Sequence, residues 1–247
     1  MSNSALPGKV WLIGAGPGAA DLLTVRATRL LEQTQVVLHD ALVSEEILQL
    51  APQATLINVG KRANEPSSTQ SWIHDRMIEA AQTHAHVVRL KGGDPSMFGR
   101  AQEEVDALKA AGIECEVVPG ITAALAASAD LALSLTRRGV ARSVLFATPV
   151  TGPGEPDNGW AVAAAQADTV ALYMASNDAA AVRDALLAQG RAESTPAHVV
   201  MNAGRANMRS VSCTLGTLPE ALASRGRAPT IVLLGEVYRH AESRNKF

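Results

Sequence analysis

Three glycines, Gly14, Gly16 and Gly18, follow the apolar run 10–13 and precede a segment with helical spacing. Glycines at such a turn let the backbone approach a phosphate or another ligand at a helix N-terminus. With Ala19 the run loosely fits the dinucleotide fingerprint. Asp40 lies 24 residues beyond Gly16, near where dinucleotide enzymes keep a ribose-binding acid. Pro17 weakens that reading, because it removes one backbone N–H that would cradle a pyrophosphate.

Other loops carry chemistry that a dinucleotide site would leave idle. In the stretch 90–104, Gly92 and Gly93 allow close backbone approach and Pro95 stiffens the chain. Asp94 can accept from a ribose hydroxyl or a ligand ammonium, or it can cap the next helix. On residue type alone Asp40 is an exposed loop acid, and Lys61 is a lysine in a solvated pair. Ligands of α/β sheets bind beyond the carboxyl ends of the strands, so these loops are expected to share one site.

The elements that must position these residues alternate along the chain. Short apolar runs at 10–14, 36–39, 55–59, 86–90 and 115–118 read as buried strands. Segments 21–33, 68–82 and 100–112 between them have helical spacing, with Gly112 as a C-cap. Strand–helix alternation predicts parallel βαβ units. The second half adds strands at 142–148, 169–174, 197–201, 209–215 and 230–237, and helices near 160–167, 178–189 and 217–224. Its strands at 197–201 and 209–215 are joined by an Asn/Gly-containing turn, so a hairpin and a mixed sheet are expected there. The fold class is therefore α/β in two domains, 1–118 and 119–247, the first mostly parallel and the second mixed.

Bulk properties exclude several classes. Of 247 residues, 47% are hydrophobic and 19% charged, with a net charge of −2, so no global basic bias argues for nucleic acid or an anionic membrane. Aromatics make up 3%, too few for a base-stacking platform. Cys115 and Cys213 form neither a disulfide framework nor a zinc motif, and no metal-ligand spacing occurs. No apolar run is long enough to cross a bilayer, and the first residues lack the pattern of a signal peptide. A cytoplasmic location is expected.

The ordered set G-A-G-P-G, D-x-L-V, G-K-R, G-G-D-P-x-x-F-G-R and V-P-G-I-T-A-A resembles the tetrapyrrole methylases. The segments 135–139, 172–174 and 228–237 extend the resemblance over nearly the whole chain. It implies that the glycine turn serves S-adenosylmethionine, bound in a cleft between two α/β domains of a homodimer. It implies methyl transfer to two pyrrole carbons of uroporphyrinogen III, giving precorrin-2 and S-adenosylhomocysteine. The family pattern assigns the cofactor to Pro17, Gly92, Gly93, Asp94, Met97, Thr122, Ala123, Met174 and Ala203. It matches Asp40 and Lys61 to the proton acceptor and donor, and it places Arg100 and Glu103 facing the tetrapyrrole. The acceptor carries eight carboxylates, for which Arg62, Arg100, Arg137 and Arg138 are suited, because a planar guanidinium holds a carboxylate bidentately.

The chain departs from the family wording at Ser134, Arg137, Ala101 and Gln102, and at the stretch 65–68 after G-K-R. These positions fall on the tetrapyrrole side of the pattern. Competing expectations are a methylase of a later precorrin, a nucleotide-dependent oxidoreductase, and a binding module that holds S-adenosylmethionine without turnover.

Overall fold

The computed structural model describes residues 7–60, 69–151, 154, 158–240 and 242–245. The chain divides into two compact units, Met1–Thr122 and Ala123–Phe247.

The first unit is a five-stranded sheet in the order β3-β2-β4-β1-β5. Its strands are β1 (Lys9–Gly14), β2 (Val36–His39), β3 (Thr55–Asn58), β4 (His86–Lys91) and β5 (Cys115–Val118). All four neighbouring pairs are parallel. Side chains alternate between faces, and both faces are covered. Val10 and Leu12 join Ile73, Met77, Ala80 and Leu108 on one side. These helical residues come from α3 (Gln70–Thr83) and α4 (Ala101–Ala110). Trp11 and Ile13 join Ala27, Leu31 and Ile47 on the other side, from α1 (Val25–Gln33) and α2 (Glu45–Leu48).

The helix ends follow local chemistry. The Thr24 hydroxyl accepts from the Ala27 N–H at the start of α1, and the Thr69 hydroxyl accepts from the Trp72 N–H at the start of α3. Gly112, at φ +72°, closes α4 in the left-handed conformation expected of a C-cap glycine.

The second unit holds a sheet of order β6-β7-β10-β8-β9. Its strands are β6 (Val144–Ala147), β7 (Thr169–Leu172), β8 (Pro196–Met201), β9 (Arg209–Thr214) and β10 (Thr230–Gly235). Only β6 and β7 pair in parallel; the other three pairs are antiparallel. The sheet is mixed, as the hairpin signal predicts, and β8 and β9 are joined through residues 202–208, the connection that the expected strand bounds leave. Turns from Asn202 to Arg205 and from Arg205 to Met208 fold that longer connection. Val170, Leu172, Val199 and Leu234 pack with Val182, Leu186, Leu218 and Leu222. Those four come from α7 (Ala179–Ala188) and α8 (Leu218–Ala223). Helix α5 (Ala123–Leu131) lies against β10. Helix α6 (Trp160–Gln166) completes the unit. Among the described residues, no helix is long and apolar enough to cross a membrane.

Candidate functional site

In the first unit the strand order reverses direction between β1 and β4, since β2 lies beyond β4 while β5 lies beyond β1. A crevice at such a switch point, beyond the carboxyl ends, is where open α/β sheets bind ligands. The loops that meet there are those after β1, β4 and β5. Gly16 and Gly93 exchange two backbone hydrogen bonds, of 3.1 and 2.8 Å, and so clip the first two loops together. Gly120, after β5, packs just as tightly: a Cβ on it would fall 2.3 Å from the Gly93 carbonyl oxygen. The Asp94 carboxylate finishes the joint, accepting from the Ser96 N–H at 2.8 Å and the Gly120 N–H at 2.9 Å. Asp94 therefore ties two loops together, the local role that competes with a ligand contact in the sequence.

Gly92 is different. It has neither positive φ nor crowded surroundings, and a Cβ there would meet nothing closer than Leu42 Cβ at 3.9 Å. Its own packing does not demand glycine, so its bare backbone is left for a ligand to approach. Thr122, at the end of this unit, is buried, while Pro17 and Met97 are partly exposed. Beyond Pro95 the chain takes left-handed backbone at Phe98 and Arg100, both at φ 55°. Non-glycine residues in that region store strain, and such strain clusters at ligand sites.

Beside these loops lies a pocket of about 440 Å3, lined by Asp40, Gln70, Arg89, Lys91, Arg100 and Glu104 among others. Its floor is charged and buried. Arg89 and Lys91 occupy alternate positions on β4, on the face where Val87 packs against α3 and α4, and they are buried. Glu104, fully buried in the first turn of α4, receives Arg89 Nε at 3.0 Å and Lys91 Nζ at 2.8 Å. The Arg89 Nη2 group donates to Asp40 Oδ1 at 2.5 Å, and Nη1 donates to the Leu90 carbonyl at 3.1 Å. Burial, followed by the neighbouring Arg89 charge, pushes the Lys91 ammonium below its ordinary pKa, while Glu104 opposes that shift.

The structure thus brings Asp40 and Arg100 to one pocket and separates Glu103 from its floor. Glu103 pairs with Arg100 through two bonds, of 2.7 and 2.6 Å, in an exposed i,i+3 bridge. The Arg100 guanidinium beside it holds the Glu103 carboxyl below the usual carboxylate range. Lys61 and Arg62 lie outside the described residues. Arg89, Lys91 and Glu104 are absent from the expected set. Their signal is present in "HVVRLK": cations at alternate positions of a central strand, covered on both faces, must be buried and must find an anion.

In the second unit, Ala123, Met174 and Ala203 gather at one end of the sheet. β7 and β8 run in the same direction on either side of β10, so Met174 and Ala203 follow their carboxyl ends. The Ala124 N–H donates to the Tyr173 hydroxyl at 3.2 Å, which sets the start of α5 beside Met174. The Gly204 N–H donates to Asp130 Oδ2 at 2.6 Å, which ties the Ala203 loop to the same helix. Met174 is exposed with φ 56°, and Ala203 is buried. Arg137 and Arg138 are exposed in the turn that leads back to Ala141.

At three of the departures from the family wording the structure shows local packing or hydrogen bonds; nothing in the structure explains Arg137, and 65–68 lie outside the described residues. Ala101 is buried at the first position of α4, Gln102 donates to Asp106 at 2.8 Å, and the Ser134 hydroxyl accepts from the Thr136 N–H.

Fold and site together define a two-unit α/β protein with a candidate ligand crevice at the strand ends of its parallel sheet. A family model described as tetrapyrrole (corrin/porphyrin) methylases matches residues 9–219, and the chain belongs to that family. It is 42% identical over 238 residues to a uroporphyrinogen-III C-methyltransferase of Pseudomonas aeruginosa, covering 95% of this chain and 96% of the relative. A siroheme synthase of Pseudomonas fluorescens is also 42% identical, over 95% of this chain, and here the match covers 51% of the relative. The chain therefore spans about half the length of the siroheme synthases it matches. The crystal structure of a Thermus thermophilus uroporphyrin-III C-methyltransferase complexed with S-adenosylhomocysteine superposes with a TM-score of 0.83 at 38% identity, covering 94% of this chain and 99% of that one. A cobalt precorrin-4 methyltransferase structure gives a TM-score of 0.81 at 30% identity, covering 93% and 95%.

Proposed function

We propose that this chain is an S-adenosylmethionine-dependent C-methyltransferase that converts uroporphyrinogen III to precorrin-2 by two methyl transfers, feeding sirohaem, cobalamin or haem d1 synthesis. The observation that carries this reading is the similarity to the Pseudomonas aeruginosa enzyme across nearly the full length of both chains. The bare backbone at Gly92 beside a charged pocket fits it. The Thermus relative supports the cofactor.

S-adenosylmethionine, when bound, supplies a methyl group on a sulfonium, which is already a good leaving group. The protein is left with orientation, exclusion of water and management of protons. In the first unit, Pro17, Gly92, Gly93, Asp94, Met97 and Thr122 are the cofactor-binding residues of this reading; in the second, they are Ala123, Met174 and Ala203. Asp40, with its carboxylate in the pocket, accepts the proton that the tetrapyrrole loses from a ring nitrogen or a bridging carbon after methylation, since the methylated carbon itself carries no hydrogen. Lys61 is the proton donor. Arg62, Arg100, Arg137 and Arg138 hold acceptor carboxylates, with Glu103 orienting Arg100. An arginine is hard to deprotonate, so Arg100 serves as a clamp rather than a base. The reading includes a cytoplasmic homodimer, which cell fractionation and sedimentation test.

The deciding experiment is anaerobic incubation with S-adenosylmethionine and fresh uroporphyrinogen III, followed by mass spectrometry. Gain of two methyl groups with release of S-adenosylhomocysteine supports the reading. Cofactor binding without a methylated product rejects this acceptor.

A further inference from the structure

The pocket floor is an expensive arrangement. Two cations and a carboxylate are withdrawn from water, and apolar side chains of similar size would serve stability as well or better. Glu104 is the group on which the arrangement turns. One of its oxygens takes Arg89 Nε and the other takes Lys91 Nζ. Its first-turn position on α4 also places the carboxylate near the positive end of the helix dipole. Arg89, gripped at Nε by Glu104 and at Nη1 by the Leu90 carbonyl, has one orientation left, and that orientation presents Nη2 to Asp40. Lys91 is aimed at the same pocket by the other oxygen.

We infer that Glu104 is a positioning residue for methyl transfer: it fixes Arg89, and through Arg89 the carboxylate of Asp40, and it holds Lys91 at the pocket floor. This rests on the proposed reaction, in which Asp40 receives the proton that the tetrapyrrole loses after methylation. Glu104 touches neither acceptor nor cofactor in this scheme and acts through Arg89 and Lys91.

The test is steady-state methylation of uroporphyrinogen III by wild-type protein and by Glu104→Asp. The shorter side chain keeps the negative charge but withdraws it from both cations. A displacement near 1 Å at a reacting group costs about 100-fold in rate, so kcat is expected to fall by about that factor. Affinity for S-adenosylhomocysteine and for the stable octacarboxylate uroporphyrin III, read by calorimetry and fluorescence, should stay within about twofold. A purely structural lesion would weaken both ligands together with turnover. Glu104→Gln is the second variant, which keeps the shape and removes the charge; it should lose kcat without a rise in KM, because an anion has left a pocket that takes an anionic acceptor. Either variant, folded and turning over at the wild-type kcat, overturns the inference. A wild-type protein that produces no methylated tetrapyrrole overturns the underlying reading instead.

Discussion

Glu103 and Glu104 are neighbours in sequence and opposites in environment. One step of about 100° around α4 turns Glu103 to solvent and Glu104 into the sheet. Glu103 meets one arginine, and both partners of that bridge are about half exposed. Glu104 meets Arg89 and Lys91, and none of these three side chains is more than 5% exposed. The rim pair is screened by water and can be lost cheaply. In the floor cluster, losing Glu104 would leave two cations buried and uncompensated, and losing either cation would take a hydrogen-bond partner from a fully buried carboxylate. Residue type therefore says little here, and the covering of the strand beneath says nearly everything.

The strongest way to break this contrast is Arg89→Met. The change leaves Glu104 with Lys91 as its one cation among the described residues, beside a 3.5 Å hydrogen bond from Gln70, and strips Asp40 of its guanidinium partner. Removing one partner from a buried ionic cluster costs about 3–5 kcal/mol, which urea unfolding at neutral pH would register. A loss below about 1 kcal/mol, the range of exposed pairs, would make the floor as wet as the rim.

A pair of glycine variants sharpens the same contrast in the backbone. Gly120→Ala drives a Cβ to 2.3 Å from the Gly93 oxygen, so the joint between the loops must open. Overpacking of this kind costs about 1–3 kcal/mol, and S-adenosylhomocysteine affinity should fall with stability. Gly92→Ala meets only ordinary van der Waals contact. Its effect on unfolding should be below about 1 kcal/mol, yet it should weaken the ligand. If both variants shift affinity and stability in proportion, Gly92 is no contact point for the cofactor.

Much of this architecture was legible beforehand, and the residues show why. All ten strands among the described residues could be placed, most of them because apolar, β-branched runs such as 10–14 and 230–237 stand between turn-forming residues. The mixed second sheet followed from the signal before and after Asn202 and Gly204. The four-residue helix α2 is too short to show a period. That the loops after β1, β4 and β5 meet was legible through their glycines and proline. The charged floor of the site was not, because Arg89 and Lys91 sit inside what reads as one more buried strand. Glu104 is missed for a related reason: the family wording marks Glu103 as facing the tetrapyrrole, and only the covered face of α4 shows that Glu104 reaches the sheet.

Floor and rim titrate with the same sign, in different pH ranges. The folded pKa of Lys91 lies below its ordinary 10.5, because burial disfavours the ammonium. Between those two values the unfolded chain binds more protons, so the Lys91 contribution to stability rises with pH. The Glu103 carboxyl is lowered by Arg100, so its contribution is lost as pH falls through the carboxylate range. The thiols of Cys115 and Cys213, both pushed up by burial to about 11, cost stability as pH rises from 9.0. They mask Lys91 in a single curve. Subtracting the curve of Lys91→Met from that of the wild type isolates it, and the difference should rise on the alkaline side. A flat difference would mean that Lys91 is solvated.

The smallest stability effect belongs to the rim, and there stability and activity should part company. Glu103→Ala and Arg100→Ala each break a bridge that is open to water, worth about 1 kcal/mol or less. Both proteins should unfold at nearly the wild-type urea concentration. Arg100 nevertheless lines the pocket, and the proposed reaction gives it an acceptor carboxylate to hold. Arg100→Ala should therefore keep S-adenosylhomocysteine binding and lose turnover, while Glu103→Ala should cost turnover less, since the guanidinium remains and only its orientation is relaxed. Equal loss of turnover in the two variants would make the bridge itself the functional unit. Wild-type turnover in Arg100→Ala would leave the charged floor as the part of this pocket that handles the acceptor.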